Sequence, residues 1–165
     1  MMKMMTIESP LGTLSLRERD DELAGVYLPV QDAPSVIEAR TLLLERVAAQ
    51  LAEYFAGERR VFDLPIGPRG TGFQERVWRS LVAIPFGETR SYGELARTIG
   101  RPSASRAVGM ANSKNPISII VPCHRVIAAN GELTGYAGGM ATKRWLLDHE
   151  HRHEQWSQPA ASVVA

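Results

Sequence analysis

The first part of the chain alternates between apolar and polar positions, as short antiparallel strands do. Residues 6–8 and 13–17 alternate on either side of a Ser-Pro-Leu-Gly turn, and a charged turn at residues 19–22 leads to a third apolar stretch, residues 23–28. A period of two is the pattern of strands that bury one face. We therefore expect a small antiparallel sheet.

Helical spacing follows this sheet. From about Ser35, apolar residues recur every three or four positions as far as Tyr54, and Gly57 is suited to end the helix. Residues 61–64 resemble another short strand, and the proline- and glycine-rich residues 65–72 are typical of a linker. The pattern predicts a sheet-plus-helix unit at the N-terminus.

The second half is predicted to be mostly helical. Thr71 with Gln74, and Ser91 with Glu94, have the spacing of capping boxes that begin helices. The helix after Ser91 is followed by a shorter one over about residues 103–111. Two short helices joined by a glycine-containing turn predict a helix-turn-helix, although an ordinary helical hairpin has the same pattern.

Later segments complete the expected fold. The apolar run 117–121 predicts a buried strand, Asn130-Gly131 predicts a β-hairpin, residues 135–139 a flexible loop, and residues 141–149 a last helix.

The expected fold class is α/β with two domains. A small N-terminal sheet-plus-helix domain covers residues 1–68, and a mostly helical, winged-helix-like C-terminal domain with the helix-turn-helix covers residues 69–151. Residues 152–165 are expected to form a loose tail.

Composition restricts the class of protein. The chain has 165 residues, of which 44% are hydrophobic and 22% charged, as in ordinary globular proteins. No apolar run approaches the roughly 20 residues that cross a bilayer, so we expect no membrane partner. Because the N-terminus lacks a signal-peptide core and the chain has one cysteine, we expect a cytoplasmic protein.

Charge is distributed unevenly. Residues 1–68 hold seven Lys/Arg and eleven Asp/Glu, a net charge of −4, whereas residues 69–165 hold twelve and seven, a net charge of +5. This asymmetry indicates a polyanionic partner for the second half, although chance scatter of surface charge gives a similar result.

Candidate chemistry lies in residues 122–126, Pro-Cys-His-Arg-Val. Cys123 is the only cysteine, so it is either a reactive thiol or a small buried apolar residue. A thiol needs a base, and His124 is adjacent; on an extended backbone the two side chains point apart, so we expect a bridging water. Three carboxylates are candidates for orienting the histidine: Glu94, Asp148 and Glu150.

The second helix of the predicted helix-turn-helix has an unusual composition. Its side chains are small, and Arg106 is its only long polar residue before Lys114. A helix that reads the major groove carries several base-contacting side chains, whereas small residues allow the backbone to approach closely. We therefore expect weakly sequence-specific binding in the minor groove.

Several motifs resemble those of the O6-alkylguanine-DNA alkyltransferases. Residues 120–127, Ile-Val-Pro-Cys-His-Arg-Val-Ile, are similar to the family's active-site signature. Other similar motifs follow the family's order and spacing at residues 90–96, 106–109, 115–116, 135–139 and 146–150. The resemblance covers about residues 71–150, and the N-terminal part is similar only in outline.

The resemblance implies DNA repair by irreversible, stoichiometric transfer of an alkyl group from guanine O6 to Cys123, without a cofactor. His124 would deprotonate the thiol through water, and Glu150 would orient His124. Tyr92 would donate to guanine N3, and Asn115 would brace the active-site turn. The implied base pocket is lined by Val126, Tyr136, Ala137 and Gly138.

It also implies a partner, double-stranded DNA that contains alkylated guanine. The damaged base would be flipped out of the duplex, and Arg106 would fill the vacated space. The residues implied to contact DNA are Tyr92, Ala104, Ser105, Arg106, Gly109, Lys114 and Arg125. The protein is expected to be a monomer in solution that can cluster on DNA.

Two positions depart from the family pattern. Some relatives hold a structural zinc in the N-terminal domain, but residues 1–68 contain neither cysteine nor histidine, so we expect no such metal. Ala137 stands where some relatives have a serine, which removes a hydroxyl contact to the base.

Other functions remain open at this stage. A non-catalytic lesion-binding relative would lack the acceptor cysteine, a Cys-His hydrolase would leave the helix-turn-helix without a role, and a transcription factor would need more base-reading side chains. His149, His151 and His153 have the spacing of metal ligands, but we expect them to be solvated.

Overall fold

The N-terminal part is a sheet of four strands, β1 (Met2–Ser9), β2 (Gly12–Arg19), β3 (Glu22–Tyr27) and β4 (Ile37–Glu38), in the spatial order β3-β2-β1-β4. The computed structural model describes residues 2–31, 33 and 36–154. Strands β1, β2 and β3 form consecutive antiparallel pairs. The sheet predicted from the period-two pattern is therefore confirmed.

Helix α1 (Leu42–Phe55) packs on this sheet, but it starts later than predicted. Thr41 caps it by accepting a hydrogen bond from the Leu44 amide, so the expected start near Ser35 is wrong. Ile37–Glu38 instead form β4, an edge strand parallel to β1. Backbone pairing with β1 outweighs the local helical spacing there. The fully buried apolar residues of α1 are Leu44, Val47, Leu51 and Tyr54.

The predicted linker is tied to the sheet. The Leu23 amide donates to Pro65 O at 2.8 Å, and the Gly67 amide donates to Leu23 O at 2.9 Å. These bonds place Ile66 in an isolated parallel bridge with Leu23. The strand predicted at residues 61–64 is wrong, because this segment pairs with no strand in the described part of the chain, and the backbone meets β3 only after it, at Ile66.

Within residues 69–154, which the structure describes, the chain forms four α-helices: α2 (Gly72–Val82), α3 (Tyr92–Thr98), α4 (Ser105–Ser113) and α5 (Met140–His153). Both predicted capping boxes are confirmed, at Thr71 and at Ser91. Helices α2, α3 and α4 pack against one another. None of the described helices is both long and apolar enough to cross a membrane.

The ends of two elements differ from the predictions. Helix α4 begins at Ser105 instead of near Ser103, because the Ala104 amide bonds to Arg101 O at 2.9 Å in a turn before the helix. Helix α5 continues to His153, two residues into the segment expected to be a tail. The rest of that tail, residues 155–165, lies outside the described residues.

The predicted turn at Asn130-Gly131 is present, but the prediction that it joins two paired strands is wrong. The Gly131 amide bonds to Ala128 O at 2.9 Å, and Gly131 has a φ of +86°. Strand β6 (Val126–Ile127), which precedes the turn, pairs in parallel with β5 (Arg90–Ser91). This pairing ties the start of α3 to the segment that follows the only cysteine.

Leu51→Ala is expected to lower the free energy of unfolding by about 2–5 kcal/mol, because it leaves a cavity under α1. Leu42→Ala is the matched control: Leu42 is 88% exposed on the same helix, and its loss should change stability by less than about 0.5 kcal/mol. Equilibrium urea unfolding measures both, and equal losses would contradict the assigned orientation of α1.

Candidate active site

The apolar run before the cysteine is a buried turn. All of residues 117–121 are buried, as expected, but the predicted strand is wrong. Ile117 forms an isolated bridge with Val26 of β3, and the Val121 amide bonds back to Ile117 O at 3.0 Å. Ile119 has a φ of +74°, which is costly for a β-branched residue. The packing around the turn holds this strained backbone.

Asn115 spans this turn. Its Nδ2 donates to Val121 O at 2.8 Å, and its Oδ1 accepts from the Ile117 amide at 3.0 Å. Asn112 Nδ2 donates to Cys123 O at 3.2 Å. These buried amides fix the backbone immediately before and at the thiol, which is the bracing position that the resemblance implied for Asn115.

Cys123 begins a short 3-10 turn, Cys123–Arg125, and is only 4% exposed. Burial raises the pKa of its thiol above the ordinary value, although Asn115, Lys143 and Tyr136 partly oppose this. The backbone here is a 3-10 turn and not the extended strand that was assumed when Cys123 and His124 were expected to point apart. In a 3-10 turn, successive side chains are about a third of a turn apart.

The Glu150 carboxylate gathers the polar groups of the site. Its Oε2 accepts from His124 Nε2 at 2.8 Å, from Arg125 Nη2 at 2.9 Å and from the Tyr54 hydroxyl at 2.7 Å. Burial alone would raise the pKa of Glu150, but His124 and Arg125 outweigh it and hold that pKa well below its ordinary range. The carboxylate is therefore ionised, and among the three candidate carboxylates it is the one that contacts His124.

The protonation of His124 follows from this contact. Because ionised Glu150 can only accept, His124 Nε2 carries the proton and Nδ1 has a free lone pair. Nδ1 is buried and has no hydrogen-bond partner among the described residues. Burial lowers the pKa of His124, with Glu150 opposing and Arg125 and Lys143 contributing. A neutral histidine with a free, inward-facing nitrogen can accept a proton.

Arg125 has a different role from the one expected. It is 5% exposed, its Nε donates to Glu150 Oε1 at 2.8 Å, and its Nη1 donates to Ile84 O at 2.7 Å. Its guanidinium also lies over the Phe86 ring. The prediction that Arg125 contacts DNA is wrong, because all of its donors point into the protein to hold the buried carboxylate.

Sequence reasoning missed two residues of the site, Lys143 and Tyr54. Lys143 is fully buried, and its Nζ donates to Val126 O at 2.6 Å and to Thr134 O at 2.8 Å. Burial lowers its pKa to about 8. No sequence motif marked either residue, because each occupies an ordinary helical position and its hydrogen-bond partners lie elsewhere in the sequence.

The residues of the predicted base pocket lie on two segments, Val126 after the 3-10 turn and residues 136–138 in a later loop. Val126 is buried beside the 3-10 turn, and the Tyr136 hydroxyl is buried near Cys123 with no hydrogen-bond partner among the described residues. Gly138 lies against Leu28, so closely that a Cβ there would be 2.1 Å from Leu28 Cδ1. Ala137 is exposed. The loop over the thiol is therefore packed against the N-terminal half.

Tyr92 links this loop to the helical face. Its hydroxyl donates to Thr134 O at 3.3 Å and accepts from Thr134 Oγ1 at 3.1 Å. A Cβ at Gly109 of α4 would be 3.6 Å from the Tyr92 ring. Arg106 is exposed on α4 and Lys114 is exposed at its C-cap, whereas Ala104 and Ser105 are partly buried at its start. The structure thus brings the expected DNA-contacting residues, except Arg125, to the helix beside Tyr92.

The C-terminal histidines do not behave as expected. His149 is 1% exposed, donates from Nε2 to Tyr54 O at 2.7 Å and stacks on Trp145. His153 donates from Nδ1 to His149 O at 2.7 Å, and only His151 of the three is exposed. The expectation of three solvated histidines is wrong, because α5 turns His149 toward α1. Across the described residues, no group of three His, Cys, Asp or Glu side chains could hold a metal ion.

Comparisons with known proteins match both halves of the chain to one family. A family model described as 6-O-methylguanine DNA methyltransferase, DNA binding domain, matches residues 72–152, and one described as the ribonuclease-like domain of the same family matches residues 2–68. A methylated-DNA–protein-cysteine methyltransferase of Mycolicibacterium paratuberculosis is 50% identical, over 93% of this chain and 94% of the relative. The constitutive enzyme of that name from Bacillus subtilis is 44% identical, over 88% and 93%.

Solved structures give the same result. The crystal structure of Mycobacterium tuberculosis O6-methylguanine methyltransferase is similar with a TM-score of 0.87 and 44% identity, covering 100% of both chains. A crystal structure of the Mycobacterium tuberculosis protein in complex with DNA has a TM-score of 0.86 and 46% identity, covering 99% of this chain and 98% of that one.

Arg125→Met is expected to lower the free energy of unfolding by about 3–5 kcal/mol, because it removes a partner of a buried carboxylate. Arg90→Met is the control, since it breaks an exposed pair with Glu88 (3.1 Å) that should contribute less than about 1 kcal/mol. Chemical denaturation measures both variants. A stable Arg125→Met protein with weakened DNA binding would restore the rejected DNA-contact role.

Proposed function

The chain belongs to the 6-O-methylguanine DNA methyltransferase family, and we propose that Cys123 is the residue that accepts the alkyl group. The protein repairs DNA directly, by transferring an alkyl group from DNA to a cysteine of its own. Cys123 is its only cysteine. The observation that carries the assignment is the hydrogen bond between His124 and Glu150, which leaves a buried histidine nitrogen free one residue from this thiol.

The proposed reaction is a single displacement at the alkyl carbon of O6-alkylguanine. The thiol proton passes through a water to His124 Nδ1, and the thiolate sulfur attacks the alkyl carbon. A carbon–sulfur bond forms as the carbon–oxygen bond breaks, and the electron pair of the broken bond stays with the guanine. A thioether remains on Cys123, so each protein molecule reacts once.

His124 is the proposed base, and Glu150 positions it. Ionised Glu150 favours the Nε2–H form of His124 and stabilises the imidazolium that forms when Nδ1 takes the thiol proton. This assistance is needed because burial keeps the thiol protonated at rest. Asn115 supports the reaction by holding the turn that presents the sulfur.

Tyr92 is proposed to donate a proton to guanine N3 as the carbon–oxygen bond breaks. Solvent then returns a proton to the phenol and removes the proton that His124 took from the thiol. Its hydroxyl faces Thr134 at the edge of the loop that contains Tyr136 and Gly138. Lys143 joins both walls of this pocket by donating to Val126 O and Thr134 O. The base would enter between Val126 on one side and Tyr136, Ala137 and Gly138 on the other.

DNA is the partner of this protein, and we propose that the bound site is duplex DNA with an alkylated guanine flipped out of the stack. Exposed Arg106 would occupy the space that the base leaves, and α4 would lie in the minor groove with Ala104, Ser105 and Gly109 close to the backbone. Lys114, also exposed, would contact phosphate.

The proposed organisation is a supporting domain over residues 1–68 and a catalytic, DNA-binding domain over residues 69–151. We propose that the protein acts as a monomer that can cluster on DNA. Its single essential thiol must remain reduced before use, which fits the cytoplasm.

Incubation with excess O6-methylguanine duplex DNA is expected to add one methyl group to Cys123 in place of its proton, in an amount equal to the protein. Intact mass and peptide mapping measure the change, and Cys123→Ser is the control that should gain nothing. Continuous turnover would indicate a hydrolase, and DNA binding without a mass change would indicate a lesion-binding protein.

Arg106→Ala is expected to slow repair of duplex DNA by about ten- to a hundredfold, because base flipping costs a few kcal/mol and the variant lacks the side chain that fills the gap. Reaction with the free alkylated base should change little. Arg46→Ala, which removes a partly exposed arginine of α1, is the control. Single-turnover rates on both substrates measure this, and equal losses on both would contradict the role of Arg106.

A further inference from the structure

Tyr54 is an N-terminal residue that reaches the centre of the site. It lies in the last turn of α1, is fully buried, and packs against Phe62, Phe86 and His149. The ring of a phenylalanine would make the same packing contacts, so only the hydroxyl group distinguishes tyrosine at this position. A buried hydroxyl is costly unless it is hydrogen-bonded, so its partner shows what it contributes.

That partner is the Glu150 carboxylate, 96 residues away in sequence. The Tyr54 hydroxyl donates to Oε2 at 2.7 Å, and the same oxygen accepts from His124 Nε2 at 2.8 Å and from Arg125 Nη2 at 2.9 Å. The other oxygen, Oε1, accepts from Arg125 Nε at 2.8 Å and from the Gly87 amide at 3.3 Å. Tyr54 and His124 therefore share one carboxylate oxygen.

We propose that Tyr54 is a positioning residue for alkyl transfer, by which the N-terminal half sets the orientation of Glu150 and the basicity of His124. This inference rests on the roles proposed above for His124 and Glu150. Tyr54 touches neither the thiol nor the DNA, and it acts only through the carboxylate.

The backbone of α1 holds the same helix. His149 donates to Tyr54 O at 2.7 Å, so the carbonyl and the hydroxyl of Tyr54 bind consecutive residues of α5. Arg60, after α1, donates to His153 O and to Glu154 O at the end of α5. The N-terminal half thus fixes α5 on both sides of Glu150, and its loss would free the carboxylate to move.

The direction of the effect on His124 follows from the shared oxygen. A donor to Oε2 withdraws negative charge that would otherwise stabilise a protonated His124. Among the described residues, the charged or titratable groups that face His124 and Glu150 are Arg125, Lys143, Tyr136 and His149, besides Tyr54 and the adjacent thiol of Cys123. Removing only the Tyr54 hydroxyl leaves all of the other groups in place. The carboxylate then binds the imidazolium more strongly, and the pKa of His124 rises.

The test is Tyr54→Phe, which keeps the ring and removes the hydroxyl. Single-turnover alkyl transfer is measured from acid to neutral pH, and the acidic limb of the rate profile is expected to move up by roughly half a unit to one unit. Tyr27→Phe is the matched control, since the Tyr27 ring faces Arg17 on the sheet, and its profile should coincide with that of the unchanged protein.

A second readout does not depend on transfer. Nitrogen NMR of the His124 ring is expected to show the Nε2–H form in the unchanged protein and a higher pKa in Tyr54→Phe. An unshifted rate profile and an unshifted His124 titration would overturn the role of Tyr54 while leaving the function intact. If the unchanged protein transfers no alkyl group to Cys123, the proposed function and this inference both fail.

Discussion

The buried charge of Glu150 is the constraint on which the rest of the structure depends. A carboxylate whose side chain is 1% exposed is tolerated only when donors surround it. Those donors come from three places: α1 supplies Tyr54, the 3-10 turn supplies His124 and Arg125, and the segment after α2 supplies the Gly87 amide. The N-terminal half, the cysteine turn and α5 must therefore pack as one unit before the charge is stable.

This arrangement also explains how a buried thiol can react. Burial keeps Cys123 protonated, and burial keeps His124 neutral. Ionised Glu150 binds Nε2–H of His124, which leaves Nδ1 unprotonated and without a hydrogen-bond partner in the described structure. The proton acceptor is thus built into the fold before any substrate binds. Helix α4, the proposed DNA-contacting helix, meets this unit at two places: Gly109 lies against the Tyr92 ring, and Asn112 donates to Cys123 O.

Local patterns predicted much of the fold and part of the site. The first three strands and both capping boxes depend on neighbouring residues, so the sequence was sufficient for them. It was not sufficient at residues 37–38 and 117–121. In both places the local pattern suits more than one conformation, and hydrogen bonds outside the segment decide: Met4 O pairs with the Ala39 amide, and Asn115 closes the turn.

What the residues alone established is the kind of chemistry: one cysteine, an adjacent histidine, and a small-residue helix with a single arginine. The partners of these groups depend on the tertiary structure. Arg125 lies two residues from Cys123 in sequence and was expected to contact DNA, yet it binds Glu150, and Tyr54 binds the same carboxylate from the other half of the chain. The physical reason is that burying a charge recruits whichever donors the packing brings within about 3 Å, and sequence separation places no limit on them.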